Sequence, residues 1–158
     1  MVFVTVGTQD KPFKRLLDLV QKAIDEKIID DVIVQAGCTL YKSDNMKIYD
    51  LLSQDEYEEY IKKCDLLITH GGVGNILTGL KYNKKIIAVP RLAELSEHTN
   101  NHQRQIVNKF AEEGYILKCD LNDDFNNVLN ESKKFKPKEY EFNNKFFCNR
   151  LMEEIEKL

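Results

Sequence analysis

His70, Gly71, Gly72 and Gly74, with Asn75 and Thr78 close behind, are the residues of this chain best suited to chemistry. They follow a short apolar run, Leu66 to Ile68, and lead into a helical stretch with Ile76, Leu77 and Leu80 on one side. Glycines at the end of a strand let the backbone approach a ligand closely. A helix starting near Val73 adds unpaired N–H groups and the positive end of its dipole. The chemistry is anion binding, and a diphosphate fits it; a branched side chain at Gly72 is expected to fill the space the anion needs. A second apolar run, Ile86 to Val89, closed by Pro90, makes the unit a βαβ crossover. Ligands of open α/β sheets bind at the edge where these glycines fall. A tight strand-to-helix connection also uses glycine, so the turn by itself leaves both readings open.

Two nucleotide motifs are excluded. Gly72 and Gly74 are followed by Leu77 where a dinucleotide turn has its third glycine, and no G-x-x-x-x-G-K-[ST] occurs. Beyond the second strand, Arg91, Glu94, Glu97, His98, Asn100, Asn101, His102 and Gln103 crowd into a loop and first helical turn. Amides, imidazoles and carboxylates offer donors and acceptors together, as reading sugar hydroxyls requires. The alternative is a solvated loop in which Thr99 or Asn100 caps a helix. His98 and His102 are four apart, but the segment lacks the glutamate of H-E-x-x-H and a third ligand, so no zinc is expected. His70 is the local candidate for a catalytic role; a structural histidine closing a strand is the other reading.

The motifs HGGVGN at 70–75, IAVPR at 87–91 and EHTNNHQ at 97–103, after the opening MVFVTVGTQDKPFKRLL, resemble the donor-binding half of the GT-B glycosyltransferases of family 28. The likeness is greatest to small separate-subunit members. These are the cytosolic subunit of the two-part transferase that adds the second N-acetylglucosamine to a dolichol-linked one, and similar bacterial capsule and exopolysaccharide subunits. The resemblance runs from Val2 to about Gly114, and the Arg91–Gln103 segment is more similar to the bacterial branch. It implies a UDP-sugar held by Gly7, Thr8 and Gln9 in the first turn and by Gly71, Gly72, Gly74, Asn75 and Thr78 in the second. From the third segment it implies Arg91, Glu97, His98, His102 and Gln103. Many members carry an acidic residue where this helix has Thr78 or Gly79, which leaves the donor sugar open.

The implied reaction is inverting transfer of a hexose from a UDP-sugar to a lipid-linked saccharide acceptor in polysaccharide biosynthesis. A membrane-anchored acceptor-binding subunit is the implied partner, and the general base is left to that partner or unassigned. Helix N–H groups can carry the charge on a leaving diphosphate without an ion. No paired carboxylates lie on the expected crevice loops, since Asp30–Asp31 and Asp123–Asp124 fall at element ends, so neither metal nor cofactor is expected. Two other functions stand beside this one. A non-catalytic regulatory or scaffold subunit would keep the fold without the nucleotide, and a free-standing epimerase would need the nicotinamide fingerprint excluded above.

The elements that must position these residues follow from periodicity. A helix from Pro12 carries Phe13, Leu16, Leu17, Val20 and Ile24; strands are expected at Val32–Gln35 and Met46–Tyr49. Ser53 and Glu56 form a capping box for a helix to Lys63. A helix over Gln105–Glu113 stops at Gly114, an edge strand takes Tyr115–Lys118, and Leu121–Ser132 is helical. The class is α/β, a Rossmann-like doubly wound parallel sheet of about five or six strands. Residues 1–136 form the UDP-sugar-binding domain. Residues 137–158 form an amphipathic helix with Phe147, Leu151, Ile155 and Leu158 in one stripe, packed on the same domain or docked to a partner.

At 158 residues the chain is one domain, half of what a complete GT-B enzyme needs. A strand beginning at Val2 is expected to leave no room for a signal peptide, and the apolar runs fall far short of the ~20 residues that span a bilayer. A cytoplasmic protein, peripheral at the membrane through its partner, is expected. With 23 basic and 26 acidic residues the net charge of −3 argues against nucleic-acid binding. Cys38, Cys64, Cys119 and Cys148 form no CxxC pair and are expected to be reduced and mostly buried.

Overall fold

Strands such as VFVT and LLITH are apolar without alternation, and such strands are stable only when both faces of the sheet are covered. The computed structural model describes residues 1–142 and satisfies this requirement with helices on both sides. The elements in chain order are β1 (Val2–Thr5), α1 (Lys14–Asp25), β2 (Val32–Gln35), β3 (Met46–Tyr49), α2 (Gln54–Lys63) and β4 (Leu66–His70). Then come α3 (Val73–Lys81), β5 (Lys85–Val89), a 3₁₀ turn at Ala93–Leu95, α4 (His102–Glu112), β6 (Leu117–Lys118) and α5 (Phe125–Ser132). The six strands are parallel in the order β3-β2-β1-β4-β5-β6. The order reverses between β1 and β4, so the loops after these two strands diverge to opposite faces and open a crevice between them.

Each central strand feeds two cores. Val2, Val4, Leu66, Ile68, Ile87 and Val89 face one way, onto Leu16, Leu17 and Val20 of α1 and Phe125, Val128 and Leu129 of α5. Phe3, Leu67, Ile86 and Ala88 face the other way, onto Tyr57 and Ile61 of α2, Ile76 and Leu80 of α3, and Ile106, Val107 and Phe110 of α4. Helix α3 lies so close to the sheet that a Cβ on Gly79 would stand 2.7 Å from Ile86 Cδ1 and 2.8 Å from Leu67 Cδ2. Gly79 weakens the helix intrinsically, but this approach requires it.

Several boundaries move for local reasons. Helix α1 starts at Lys14 because the buried Phe13 gives its N–H to Thr39 Oγ1 at 2.9 Å. Helix α5 starts at Phe125, capped by Asp124, which accepts from the N–H groups of Asn126 and Asn127; residues 121–124 form the preceding turn. The last strand shrinks to Leu117–Lys118. Ser53 caps α2 as expected, accepting from Glu56 N at 3.2 Å, while Glu56 meets the serine hydroxyl rather than its N–H. The Ncap of α4 is Asn101, not Thr99 or Asn100, although Asn100 Oδ1 accepts the His102 N–H at 3.0 Å. Gly114 ends the α4 segment with φ of 84°.

Of the described cysteines, Cys64 and Cys119 are buried thiols and Cys38 is exposed. Among the described residues no helix is long and apolar enough to cross a membrane. Lys138 donates its N–H to Gly114 O at 3.0 Å, and Tyr140 packs edge-on to Tyr115, so the chain returns to the second core as far as residue 140. The stripe Phe147, Leu151, Ile155 and Leu158 lies outside the described residues. Because Gly79 is set by contact with the sheet, Gly79→Val should lower stability by about 2 kcal/mol through overpacking, read as a lower urea midpoint at unchanged m-value.

Candidate functional site

The crevice at the switch point is a cleft of about 290 Å³ lined by Gly7, Thr8 and Gln9 after β1, by His70, Gly72, Gly74 and Asn75 after β4, and by Gln35, Leu52, Gln54 and Tyr57. The first seven were expected from sequence; the last four were not. Gln35 is a polar residue ending a buried strand, and Gln54 and Tyr57 lie in the first turn of the helix that follows β3. Those positions at the carboxyl edge are the signal that could have found them.

Helix α3 opens into this cleft. Its Ncap is Gly72, which has no side chain to bond the first N–H groups, and the first helical bond runs from Ile76 N to Gly72 O. The N–H groups of the first turn therefore face the cleft at the positive end of the helix, the arrangement that receives anions. A Cβ on Gly74 would meet nothing within 4 Å, so this glycine looks into open cleft. Gly72 does not: a Cβ there would stand 2.5 Å from His70 Cε1. The expectation that a branched residue at Gly72 would intrude on an anion is thus corrected, since it would strike the imidazole first.

His70 is buried between the two glycine turns. On its other side a Cβ on Gly7, whose φ is 80°, would stand 2.4 Å from His70 Nε2. His70 Nδ1 lies 3.0 Å from Gln103 Nε2, and Nε2 lies 2.9 Å from the Asn75 carboxamide nitrogen. Asn75 is bonded in turn to the Tyr57 hydroxyl. Burial, and secondarily the nearby Arg91 guanidinium, lower the His70 pKa from its usual 6.5 to about 3, so the ring is neutral. Burial pushes Tyr57 up to about 12 and keeps its proton on.

The residues expected to read the sugar are divided by the fold. Arg91, Glu97 and Gln103 do not line the cleft; they are buried beside it, with all their polar side-chain groups but Arg91 Nε engaged. Arg91 donates through Nη1 to Lys11 O at 2.7 Å and Glu97 O at 3.1 Å, and through Nη2 to Val6 O at 2.6 Å. Its guanidinium stacks on Phe13, 5.0 Å from the ring centroid. Glu97 takes both forks of Arg15 at 3.0 Å and the Leu92 N–H at 3.1 Å. Gln103 Oε1 accepts the N–H groups of Gly71 and Arg91, each at 3.0 Å.

The remaining expected residues fall into three groups. Gly71 is packed under α4, where a Cβ would stand 2.7 Å from Gln103 Cβ. Thr78 donates its hydroxyl back to Gly74 O at 2.9 Å. His98 Nε2 lies 3.2 Å from Gln9 Nε2, joining the first and third segments at the cleft mouth, and His102 opens α4 beyond it. Asp31 and Asp124, one member of each acidic pair, serve elsewhere: Asp31 O receives Val2 N–H at the amino edge and Asp124 caps α5.

A doubly wound parallel sheet with an uncapped helix N-terminus at its switch point is an architecture whose crevice can receive an anionic ligand. The chain belongs to glycosyltransferase family 28: the model of the family's C-terminal domain matches residues 1–157. It is 28% identical over 102 residues to the UDP-N-acetylglucosamine transferase subunit ALG13 of Candida albicans, covering 65% of this chain and 33% of that protein. The human protein of the same name is 29% identical over 129 residues, 75% of this chain and 11% of that one. The chain thus spans about a third or less of these relatives. The fold is shared with an NMR solution structure of ALG13, at a TM-score of 0.64 and 23% identity over 97% of this chain and 94% of that one. It is also shared with Acinetobacter baumannii MurG, at 0.55 and 16% over 83% and 40%.

The lowered His70 pKa fixes a pH dependence. The unfolded histidine binds a proton below about 6.5 and the folded one only near 3, so acid favours the unfolded state between these values. Stability is expected to be intact above pH 6.5 and to fall by up to ~1.4 kcal/mol per pH unit below it. His70→Gln, which cannot titrate, should flatten that slope in urea midpoints measured between pH 7 and 5.

Proposed function

We propose that this chain is the donor-binding subunit of an inverting glycosyltransferase that uses a UDP-sugar. The observation that carries the reading is the uncapped start of α3, with Gly74 leaving open cleft beside its N–H groups. Breaking the anomeric C–O bond leaves negative charge on the diphosphate, and N–H groups fixed in a helix stabilise that charge without reorganising. The relatives named above favour N-acetylglucosamine as the sugar. The expectation of hexose transfer into capsule or exopolysaccharide draws no support from their names.

A second subunit is part of the proposal. Leu40 and Leu51 are 91% and 65% exposed on the loops that leave β2 and β3 at the cleft edge, apolar surface suited to a partner. The chain is proposed to meet there a membrane-anchored subunit that binds the lipid-linked saccharide and supplies the general base. It would hold this chain peripherally at the cytoplasmic face.

Two measurements test the reading. Calorimetry should show UDP and UDP-N-acetylglucosamine binding to the wild type, and Gly74→Ala should weaken both about tenfold by placing a methyl in the cleft. The same change should leave stability equal or raise it by up to ~1 kcal/mol, because alanine favours helix. Absence of binding by the wild type would favour a scaffold subunit. With its partner present, transfer should survive EDTA; loss on chelation restored by Mn²⁺ would refute the metal-independent mechanism.

A further inference from the structure

We propose that Gln103 is a positioning residue that holds His70 as the Nε2–H tautomer, and that this tautomer turns the Asn75 carboxamide so that the α3 end of the cleft presents hydrogen-bond donors. The ligand side of this inference rests on the nucleotide reading above; the tautomer does not.

The main-chain N–H groups of Gly71 and Arg91 can only donate, and both lie 3.0 Å from one end of the Gln103 carboxamide, so that end is the oxygen. The other end is the NH₂ group, 3.0 Å from His70 Nδ1. An amide NH₂ has no lone pair to accept with, so Nδ1 must be the bare nitrogen. A neutral imidazole then carries its proton on Nε2. Burial, and after it Arg91, keep the ring neutral.

The proton on Nε2 decides the next group. With Asn75 Nδ2 at 2.9 Å from His70 Nε2, two N–H groups would face each other. Half a turn of the carboxamide removes the conflict: Oδ1 accepts from His70, and the NH₂ group faces the Tyr57 hydroxyl oxygen, which accepts one of its protons. The second Asn75 proton and the first N–H groups of α3 are then donors at one end of the cleft. Diphosphate oxygens accept at every such position. The same tautomer leaves His70 Nε2 without a lone pair, so the ring cannot take a proton from an acceptor hydroxyl there. His70, a catalytic candidate from sequence, becomes a donor that orients Asn75.

The test reads the tautomer directly. Long-range ¹H–¹⁵N spectra of the ligand-free, histidine-labelled chain at pH 7 should show His70 bare at Nδ1 and protonated at Nε2. Gln103→Glu keeps an oxygen for the Gly71 and Arg91 N–H groups but places an acceptor at Nδ1. It should move the proton to Nδ1 and weaken UDP binding about tenfold by calorimetry, with the circular dichroism spectrum unchanged. A wild-type His70 protonated at Nδ1 overturns the proposal, whatever the variant does. A variant with the reversed tautomer and unchanged UDP affinity overturns the donor arrangement. Failure of the wild type to bind UDP would refute the nucleotide reading, while the ligand-free spectrum still decides the tautomer.

Discussion

The oxygen of the Gln103 carboxamide accepts from the N–H groups of Gly71 and Arg91, and these are the residues just beyond β4 and just after Pro90 at the end of β5. Past its last ladder bond a buried strand has N–H groups with no neighbour to pair, and leaving one unpaired costs on the order of 1–3 kcal/mol. One side chain from α4 satisfies two of them. It thereby fixes the distance between the central strand ends, the start of α4 and the turn that leads into α3. The rest of the site is built outward from that tie.

His70 is the next layer. Its imidazole occupies the space between the turns after β1 and β4, and the near contacts a Cβ would make at Gly7 and Gly72 show why both turns carry glycine there. The two glycines therefore serve the protein's own packing before they serve a ligand. Gly74, facing open cleft, is the one with space to spare. A glycine-rich turn thus combines an internal packing requirement at one position with open space on the cleft two residues later.

Charge holds the loops around this centre. Arg91 ties the carbonyls of Val6, Lys11 and Glu97 together, and Arg15 and Glu97 clamp the segment after β5 to the start of α1. Two guanidinium groups face one carboxylate in this cluster, with the Phe13 ring within about 5 Å of both guanidinium carbons. Burying a cation without a full complement of acceptors is costly, and Arg91 Nε has no partner among the described residues. The excess positive charge lies next to His70, where it disfavours protonation and helps keep the ring neutral.

The sequence by itself determined the doubly wound sheet, because runs such as Leu66–Ile68 and Ile86–Val89 need burial on both faces and the helices between them have one apolar side. It also pointed to the cleft at the switch point, since glycine and helix start coincide at residues 70–75. Tertiary structure alone decided which polar residues face that site. Arg91, Glu97 and Gln103 read in sequence like ligand-binding groups, yet each is spent on main-chain atoms or an ion pair from strands and loops distant in the chain. Gln35, Gln54 and Tyr57 carry only their place at or just beyond strand ends as a signal, and they reach the cleft because β2 and β3 lie on the β1 side of the sheet. Periodicity records which side of an element is buried, because burial depends on near neighbours in the chain; the partner of a buried polar group is chosen by neighbours in space, and no spacing in the sequence encodes it.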